Sequence, residues 1–171
     1  MVVKGRPITV STRILIADDS NVVREAISFL VDKADDMEVA GQAQDGQGAV
    51  ELAAQLQPDV VVIGVDIANP SGIEVVRRIV SVQPGVKIVA LSRYRDRWSV
   101  RMILDAGALG YVAKNRTFEE LIRAIRTVVK NQTYISPCIS TAYGGQQASK
   151  SSQAEDEASS IEKKLSQFVG Q

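Results

Sequence analysis

Short runs of β-branched and other apolar residues alternate with longer amphipathic stretches between residues 13 and 130. This alternation is typical of strand-helix-strand units, in which a parallel sheet carries helices on both faces. Strands covered on both sides are almost continuously apolar, as these runs are. The pattern predicts an α/β fold with strands over 13–17, 37–41, 59–64, 87–91 and 109–113, and helices over 20–32, 46–57, 72–82, 96–106 and 117–130.

Two helix start signals accompany this pattern. Asp19 or Ser20 carries a side chain that can accept a hydrogen bond at the N-cap of the first helix. Thr117 and Glu120 have the spacing of a capping box at the start of the last helix. The apolar stripe of that last helix is too large to be wholly exposed, so we expect part of it to pack on the sheet and part to be available for a homodimer.

The chain divides by composition into an N-terminal extension over 1–12, a domain over 13–130 and a C-terminal tail over 131–171. Residues 144–160 contain no aromatic residue and no Val, Ile, Leu or Met, so we expect most of the tail to be disordered. A short amphipathic pattern predicts a helix over 160–169. It is either a docking helix or a chance spacing in a disordered end, and the second interpretation is favoured.

Composition excludes several classes of site. The 171 residues include no histidine, which excludes Ser-His-Asp and Cys-His relays, and Cys138 alone cannot supply the ligands of a zinc site. The 20 basic and 20 acidic residues give a net charge of zero, unlike a free-standing nucleic-acid binder. No apolar run is long enough to span a membrane and the N-terminus lacks a signal-peptide core. We therefore expect a cytoplasmic protein that binds neither membranes nor nucleic acid directly.

Polar side chains follow three of the predicted strands. Asp18 and Asp19 close the first strand, Ser92 ends the fourth and Lys114 ends the fifth. The carboxyl ends of parallel strands form one edge of a sheet, where open α/β sheets bind their ligands. Two carboxylates that could hold a divalent cation, a hydroxyl and an ammonium group are suited to handling a phosphoryl group.

The ordered segments ILIADDS, PDVVVIG, PSGIE, ALSRY and AGALGYVAKN resemble the successive motifs of a bacterial response-regulator receiver domain. The resemblance covers residues 13–130 and is greatest to receivers of the LuxR/NarL type, for which NVVREAI and NQTYISP are typical flanks. It implies a doubly wound, CheY-like and flavodoxin-like parallel sheet of five strands in the order 2-1-3-4-5.

In this family an aspartate at the end of the third strand takes a phosphoryl group from the histidine of a partner kinase. The resemblance implies that Asp18 and Asp19 are the metal-binding pair, which holds Mg²⁺ in the family. It implies that Ser92 is the hydroxyl switch, Tyr111 the aromatic switch and Lys114 the lysine that contacts the phosphate. The expected partner is a sensor histidine kinase or another signalling protein.

The acceptor aspartate itself is missing from its expected position. In the family it follows a proline by six residues and precedes a glycine by eight, and counting from Pro58 and from Gly72 gives Gly64 in both cases. A second alignment places Asp66 as a displaced acceptor, because the segment from Asp66 to Pro70 has the Asp-x-x-x-Pro spacing. In a continuous strand, position 66 would lie about 6.6 Å beyond position 64, too far for Lys114 and Ser92 to serve it without a local rearrangement such as a bulge.

We therefore favour a degenerate acceptor site at Gly64 and a pseudo-receiver that acts through protein contacts. Its acidic pocket of Asp18, Asp19 and Asp66 is expected to bind Mg²⁺ weakly, because one oxygen ligand is absent. Phosphorylation on Asp66 is the alternative. A small phosphatase or a flavodoxin-like redox enzyme is disfavoured, because the chain lacks histidine, a strand-end cysteine nucleophile and a glycine-rich phosphate loop.

Four arginines and a tryptophan cluster after the fourth strand. This cluster is either a solvated helix face or a docking surface for a partner, since Arg and Trp are enriched at binding hot spots. LuxR/NarL-type regulators usually carry a helix-turn-helix domain after a linker, and none is recognisable before Gln171. The chain is therefore either a stand-alone receiver or a fragment of a LuxR-type transcriptional regulator. The clustered residues are Arg93, Arg95, Arg97, Trp98 and Arg101.

Overall fold

Six strands alternate with six helices along the chain in the computed structural model, which describes residues 10–144. The strands are β1 (Thr12–Ala17), β2 (Met37–Ala43), β3 (Val60–Gly64), β4 (Lys87–Ser92), β5 (Gly110–Ala113) and β6 (Tyr134–Ile135). The helices are α1 (Asn21–Asp32), α2 (Gly46–Leu56), α3 (Gly72–Val82), α4 (Arg97–Asp105), α5 (Thr117–Val129) and α6 (Pro137–Gly144). The predicted helix over 160–169 and most of the N-terminal extension lie outside the described residues.

The strands form one parallel sheet in the order β2-β1-β3-β4-β5-β6. The predicted α/β class and the order of the first five strands are confirmed. Strand β6 was not predicted, because two residues beside Asn131 and Gln132 carry no strand pattern of their own. It pairs with β5 through Gly110 and Tyr111 and lies in the segment that the composition assigned to the tail.

One side of the sheet packs against α1 and α5. Their apolar faces, including Ile27 and Leu121, join strand residues such as Ile16 and Val62 in a buried cluster. Strand positions one residue away, including Leu15, have side chains on the opposite face, as the two-residue period of a strand requires. Because both faces are covered, every residue of β3 is buried, and this accounts for the unbroken apolar run that predicted the strand.

Of the two helix start signals predicted from the sequence, the structure confirms the one at α1 and contradicts the one at α5. Ser20 is the N-cap of α1 and its hydroxyl accepts a hydrogen bond from the Val23 amide at 3.4 Å. The capping box predicted at Thr117 and Glu120 is wrong, since α5 has no side-chain cap. A 3₁₀ turn over Lys114–Arg116 precedes the helix, and the Thr117 hydroxyl donates to the Lys114 carbonyl at 2.9 Å instead.

Glu120 anchors β6 rather than the start of α5. Its carboxylate accepts hydrogen bonds from the hydroxyls of Ser136 and of Tyr134. The buried Ser136 hydroxyl also accepts a hydrogen bond from the Ala113 amide at 3.0 Å, and the Ser136 amide donates to the Tyr111 carbonyl at 2.9 Å. These contacts fix the strand that follows α5 beside the end of β5.

The structure divides into two units after Ser136. In the second unit α6 begins at Pro137, a favourable first helical residue because its missing amide hydrogen has no partner to lose there. None of the helices in residues 10–144 is long and apolar enough to cross a membrane.

The hydrogen bonds of Ser136 predict a measurable loss of stability on truncation. Replacement Ser136→Ala leaves the buried Ala113 amide and the Glu120 carboxylate without this partner, which we expect to lower the free energy of unfolding by about 1–3 kcal/mol. Urea denaturation measures this change. The matched control is Ser81→Ala on the exposed part of α3, which we expect to change stability by less than about 0.5 kcal/mol. Equal stabilities of the two variants would contradict the anchoring role of Ser136.

Candidate functional site

The predicted polar residues meet at one edge of the sheet, beyond the carboxyl ends of β1, β3, β4 and β5. Asp18 follows β1 directly, Gly64 is the last residue of β3, Ser92 is the last residue of β4 and Lys114 follows β5. Strand pairing aligns these ends, because Gly64 lies beside Leu91 on β4 and Ser92 lies beside Ala113 on β5.

Asp18 and Lys114 form an ion pair at the centre of this edge. The Lys114 ammonium nitrogen Nζ lies 2.9 Å from Oδ2 of Asp18, whose side chain is only 1% exposed, while the Lys114 side chain is 16% exposed. The other carboxylate oxygen, Oδ1, accepts a hydrogen bond from the Ser20 amide at 3.0 Å. Oδ2 is buried and has no aligned hydrogen-bond donor, so the ammonium charge is its compensation.

Gly64 leaves room for this ion pair. A Cβ atom at position 64 would lie 2.1 Å from Oδ2 of Asp18 and 3.4 Å from Nζ of Lys114. The first distance is far below van der Waals contact. The Asp18 carboxylate therefore lies in the space where the side chain of residue 64 would begin.

Asp66 also reaches the pocket, although the continuous-strand geometry would have kept it away. Strand β3 ends at Gly64, and a turn closed by the hydrogen bond from the Ile67 amide to the Gly64 carbonyl, at 3.1 Å, folds the chain back. Oδ2 of Asp66 consequently lies 3.7 Å from Nζ of Lys114 and 3.1 Å from Nε of Arg93. The local rearrangement that the displaced acceptor requires is thus a turn, rather than a bulge within the strand.

Asp19, in contrast, is exposed, and none of the ion pairs of the pocket includes its carboxylate. Within residues 10–140, no group of three or more potential ligands is placed to hold a metal ion. Asp18 faces an ammonium group and position 64 supplies no side-chain oxygen. This donor set does not fit a divalent cation in the arrangement that the structure shows.

Ser92 and Tyr111 lie together on the β4 and β5 side of the pocket, and both are fully buried. The Ser92 hydroxyl accepts a hydrogen bond from the Tyr94 amide at 3.1 Å, and the Tyr111 hydroxyl donates to the Tyr94 carbonyl at 2.8 Å. Burial raises the pKa of the Tyr111 phenol above its ordinary value, opposed by its hydrogen bond with Ser92. The backbone of Tyr94, in the loop after β4, is therefore hydrogen-bonded to Ser92 through its amide and to Tyr111 through its carbonyl.

Ion pairs engage part of the arginine cluster. Arg93 pairs with Asp66, and Arg101 pairs with Asp105 one turn along α4 at 2.8 Å. Asp96, the N-cap of α4, accepts a hydrogen bond from the Ser99 amide, which lowers the pKa of its carboxyl. The exposed aromatic side chains of this region are Tyr94, at 52%, and Trp98, at 69%.

Sequence reasoning missed Tyr94 and the pairing of Arg93 with Asp66. The 27-residue separation of Arg93 and Asp66 gives no periodic signal. An arginine directly after Ser92, at the same sheet edge as Asp66, was the available signal for their pairing.

Comparisons with known proteins agree with the fold. The family model described as "Response regulator receiver domain" matches residues 14–126. The oxygen regulatory protein NreC of Staphylococcus carnosus is 41% identical over 133 residues, which cover 76% of this chain and 60% of that protein. The response regulator GacA of Pseudomonas aeruginosa is 35% identical over 127 residues, which cover 74% of this chain and 59% of that protein.

Among solved structures, a two-component response regulator of the LuxR family from Aurantimonas sp. SI85-9A1 is similar with a TM-score of 0.77. Its identity is 28%, and the match covers 81% of this chain and 99% of that one. The chain spans about three fifths of the length of the curated relatives that it matches.

The packing at Gly64 predicts a strong response to a single methyl group. Replacement Gly64→Ala forces the Asp18 carboxylate away from Lys114, so we expect a loss of about 1–3 kcal/mol in the free energy of unfolding. Replacement Gly85→Ala is the matched control, because a Cβ atom there has no neighbour within 4 Å. It should be neutral or stabilising by up to about 1 kcal/mol. Chemical denaturation of both variants measures the difference, and an equally small effect at position 64 would show that the pocket is loosely packed.

Proposed function

The chain belongs to the response regulator receiver family, and we propose that within this family it is a pseudo-receiver. It would signal through protein contacts without a phosphoryl group on position 64. Receivers are the signalling domains of two-component systems and are generally not enzymes. The observation that carries the proposal is the position of the Asp18 carboxylate, 2.1 Å from where a Cβ atom of residue 64 would lie.

Two features support the loss of ordinary phosphorylation. Glycine has no carboxylate, so no acyl phosphate can form at position 64. Lys114, which the family resemblance assigns to the phosphate, is already paired with Asp18 at 2.9 Å. A phosphoryl group arriving in the pocket would compete with a buried carboxylate whose compensating charge is this same ammonium group.

The proposed partner is a sensor histidine kinase or another signalling protein of the cytoplasm, with a homodimer as a further assembly. Exposed Tyr94 and Trp98 beside Arg95 offer the aromatic and cationic side chains that are enriched at binding hot spots. Since the chain spans about three fifths of its curated relatives, a longer LuxR-type transcriptional regulator stays an alternative proposal for the whole protein.

Phosphorylation on Asp66 is the second candidate, and one distance favours it. Nζ of Lys114 lies 3.7 Å from Oδ2 of Asp66, so a modest movement of the lysine would let it contact a phosphoryl group on that residue. Against this candidate, Arg93 already pairs with the same oxygen at 3.1 Å. Lys114 would also have to leave Asp18 unpaired.

Incubation with acetyl phosphate and MgCl₂, followed by intact-mass measurement, tests the two candidates. We expect no mass gain for the wild type and none for Asp66→Asn, while a receiver with an aspartate at the acceptor position gains one phosphoryl group as the positive control. A gain in the wild type that disappears in Asp66→Asn would identify Asp66 as the acceptor and refute the pseudo-receiver proposal.

A further inference from the structure

We propose that the ammonium group of Lys114 takes the place of a divalent cation in this pocket, so that the pocket carries its own counter-charge and is independent of metal. The inference deepens the proposed function and rests on it, because it applies to a receiver pocket without a carboxylate at position 64. It concerns the charge balance of four side chains that the structure brings together.

The four charges that are joined by ion pairs in the pocket cancel, and the exposed Asp19 is outside this set. Asp18 and Asp66 contribute two negative charges, and Lys114 and Arg93 contribute two positive charges. Lys114 lies between the two carboxylates, at 2.9 Å from Asp18 and 3.7 Å from Asp66, while Arg93 closes the outer side of Asp66 at 3.1 Å. The two carboxylates are already neutralised by Lys114 and Arg93, so they attract a further cation only weakly.

Burial makes the ammonium group difficult to replace. Oδ2 of Asp18 has a single charged partner among the described residues, which is Lys114, and the Asp18 side chain is 1% exposed. Magnesium requires oxygen ligands at about 2.0–2.1 Å in octahedral geometry. Because Nζ lies 2.9 Å from Oδ2, a metal ion bound to that oxygen would lie within about 5 Å of the ammonium charge and would be repelled by it.

Glycine at position 64 allows the Lys114 ammonium group to take the place of a metal ion beside Asp18. A side chain at position 64 would displace the Asp18 carboxylate and come within 3.4 Å of the Lys114 ammonium nitrogen. With glycine there, the lysine crosses the end of β3 and reaches Asp18. Loss of one carboxylate therefore removes a metal ligand and at the same time gives the lysine access to another.

Thermal unfolding with and without millimolar MgCl₂ tests the proposal on the full chain. We expect the Tm of the wild type to be the same under both conditions. The Lys114→Met variant removes the internal cation, so its Tm should be lower without metal and should rise by about 4 °C once Mg²⁺ is in roughly tenfold excess over its Kd. If this variant is unfolded without metal, we expect Mg²⁺ to refold it, and circular dichroism measures that refolding in place of the Tm.

Three further variants separate a specific site from general effects. Lys114→Gln keeps a hydrogen-bond donor for Asp18 and repeats the measurement in a better-folded background. Addition of Asp66→Asn to Lys114→Met should abolish the Mg²⁺ response, because one carboxylate is lost. Arg126→Met removes a cation from the exposed pair with Asp36 and should show no Mg²⁺ response.

A wild-type Tm that rises with Mg²⁺ would overturn the inference. So would the absence of any Mg²⁺ response in both Lys114 variants. These outcomes differ from failure of the proposed function, which would be a phosphoryl mass gain in the wild type. If the wild type gains no phosphoryl group but binds Mg²⁺, the internal-cation inference is refuted while the pseudo-receiver proposal stands.

Discussion

The ion pair between Lys114 and Asp18 is the contact on which the rest of the pocket depends. The two residues follow β5 and β1, which are separated in the sheet by β3 and β4. Their side chains meet at 2.9 Å because the strand end between them carries Gly64. A buried carboxylate without a compensating charge costs several kcal/mol, so the lysine is held in place by the burial of its partner.

From this contact a chain of charges leads to the surface. Lys114 is shared with Asp66, and Asp66 is paired with Arg93, whose side chain is 72% exposed. Arg93 directly precedes Tyr94, which is hydrogen-bonded to both Ser92 and Tyr111. A partner that binds this loop would therefore act on residues in direct contact with the pocket, and this suits a receiver that responds to protein contact.

The sequence was sufficient where a physical pattern repeats along the chain. Buried strands such as Val60–Gly64 are unbroken apolar runs, and α3 matches its predicted bounds because its amphipathic period begins at Gly72. The assignment of the acceptor position to Gly64 rests on family spacing counted from Pro58 and from Gly72, and it stays a prediction. These features are local, and each is set by residues within a few turns or strand repeats.

The features that the sequence did not predict are made by long-range contacts. The turn after Gly64 that brings Asp66 to Lys114 has no alternating pattern. Glu120 has the spacing of a capping residue, but a buried serine 16 positions later takes its carboxylate. A two-residue strand such as Tyr134–Ile135 is defined by its neighbour rather than by its own side chains. In each case the competing partner is distant in the chain.

A double-mutant cycle between Asp18 and Lys114 tests the central contact most directly. The free energies of unfolding of the wild type, Asp18→Asn, Lys114→Met and the double variant are measured by urea denaturation in metal-free buffer. If the two groups form an ion pair, the double variant should lose less unfolding free energy than the two single variants lose together. The expected difference is about 1–3 kcal/mol. Losses that add within about 0.5 kcal/mol would show that the two groups do not compensate each other, and would contradict the account.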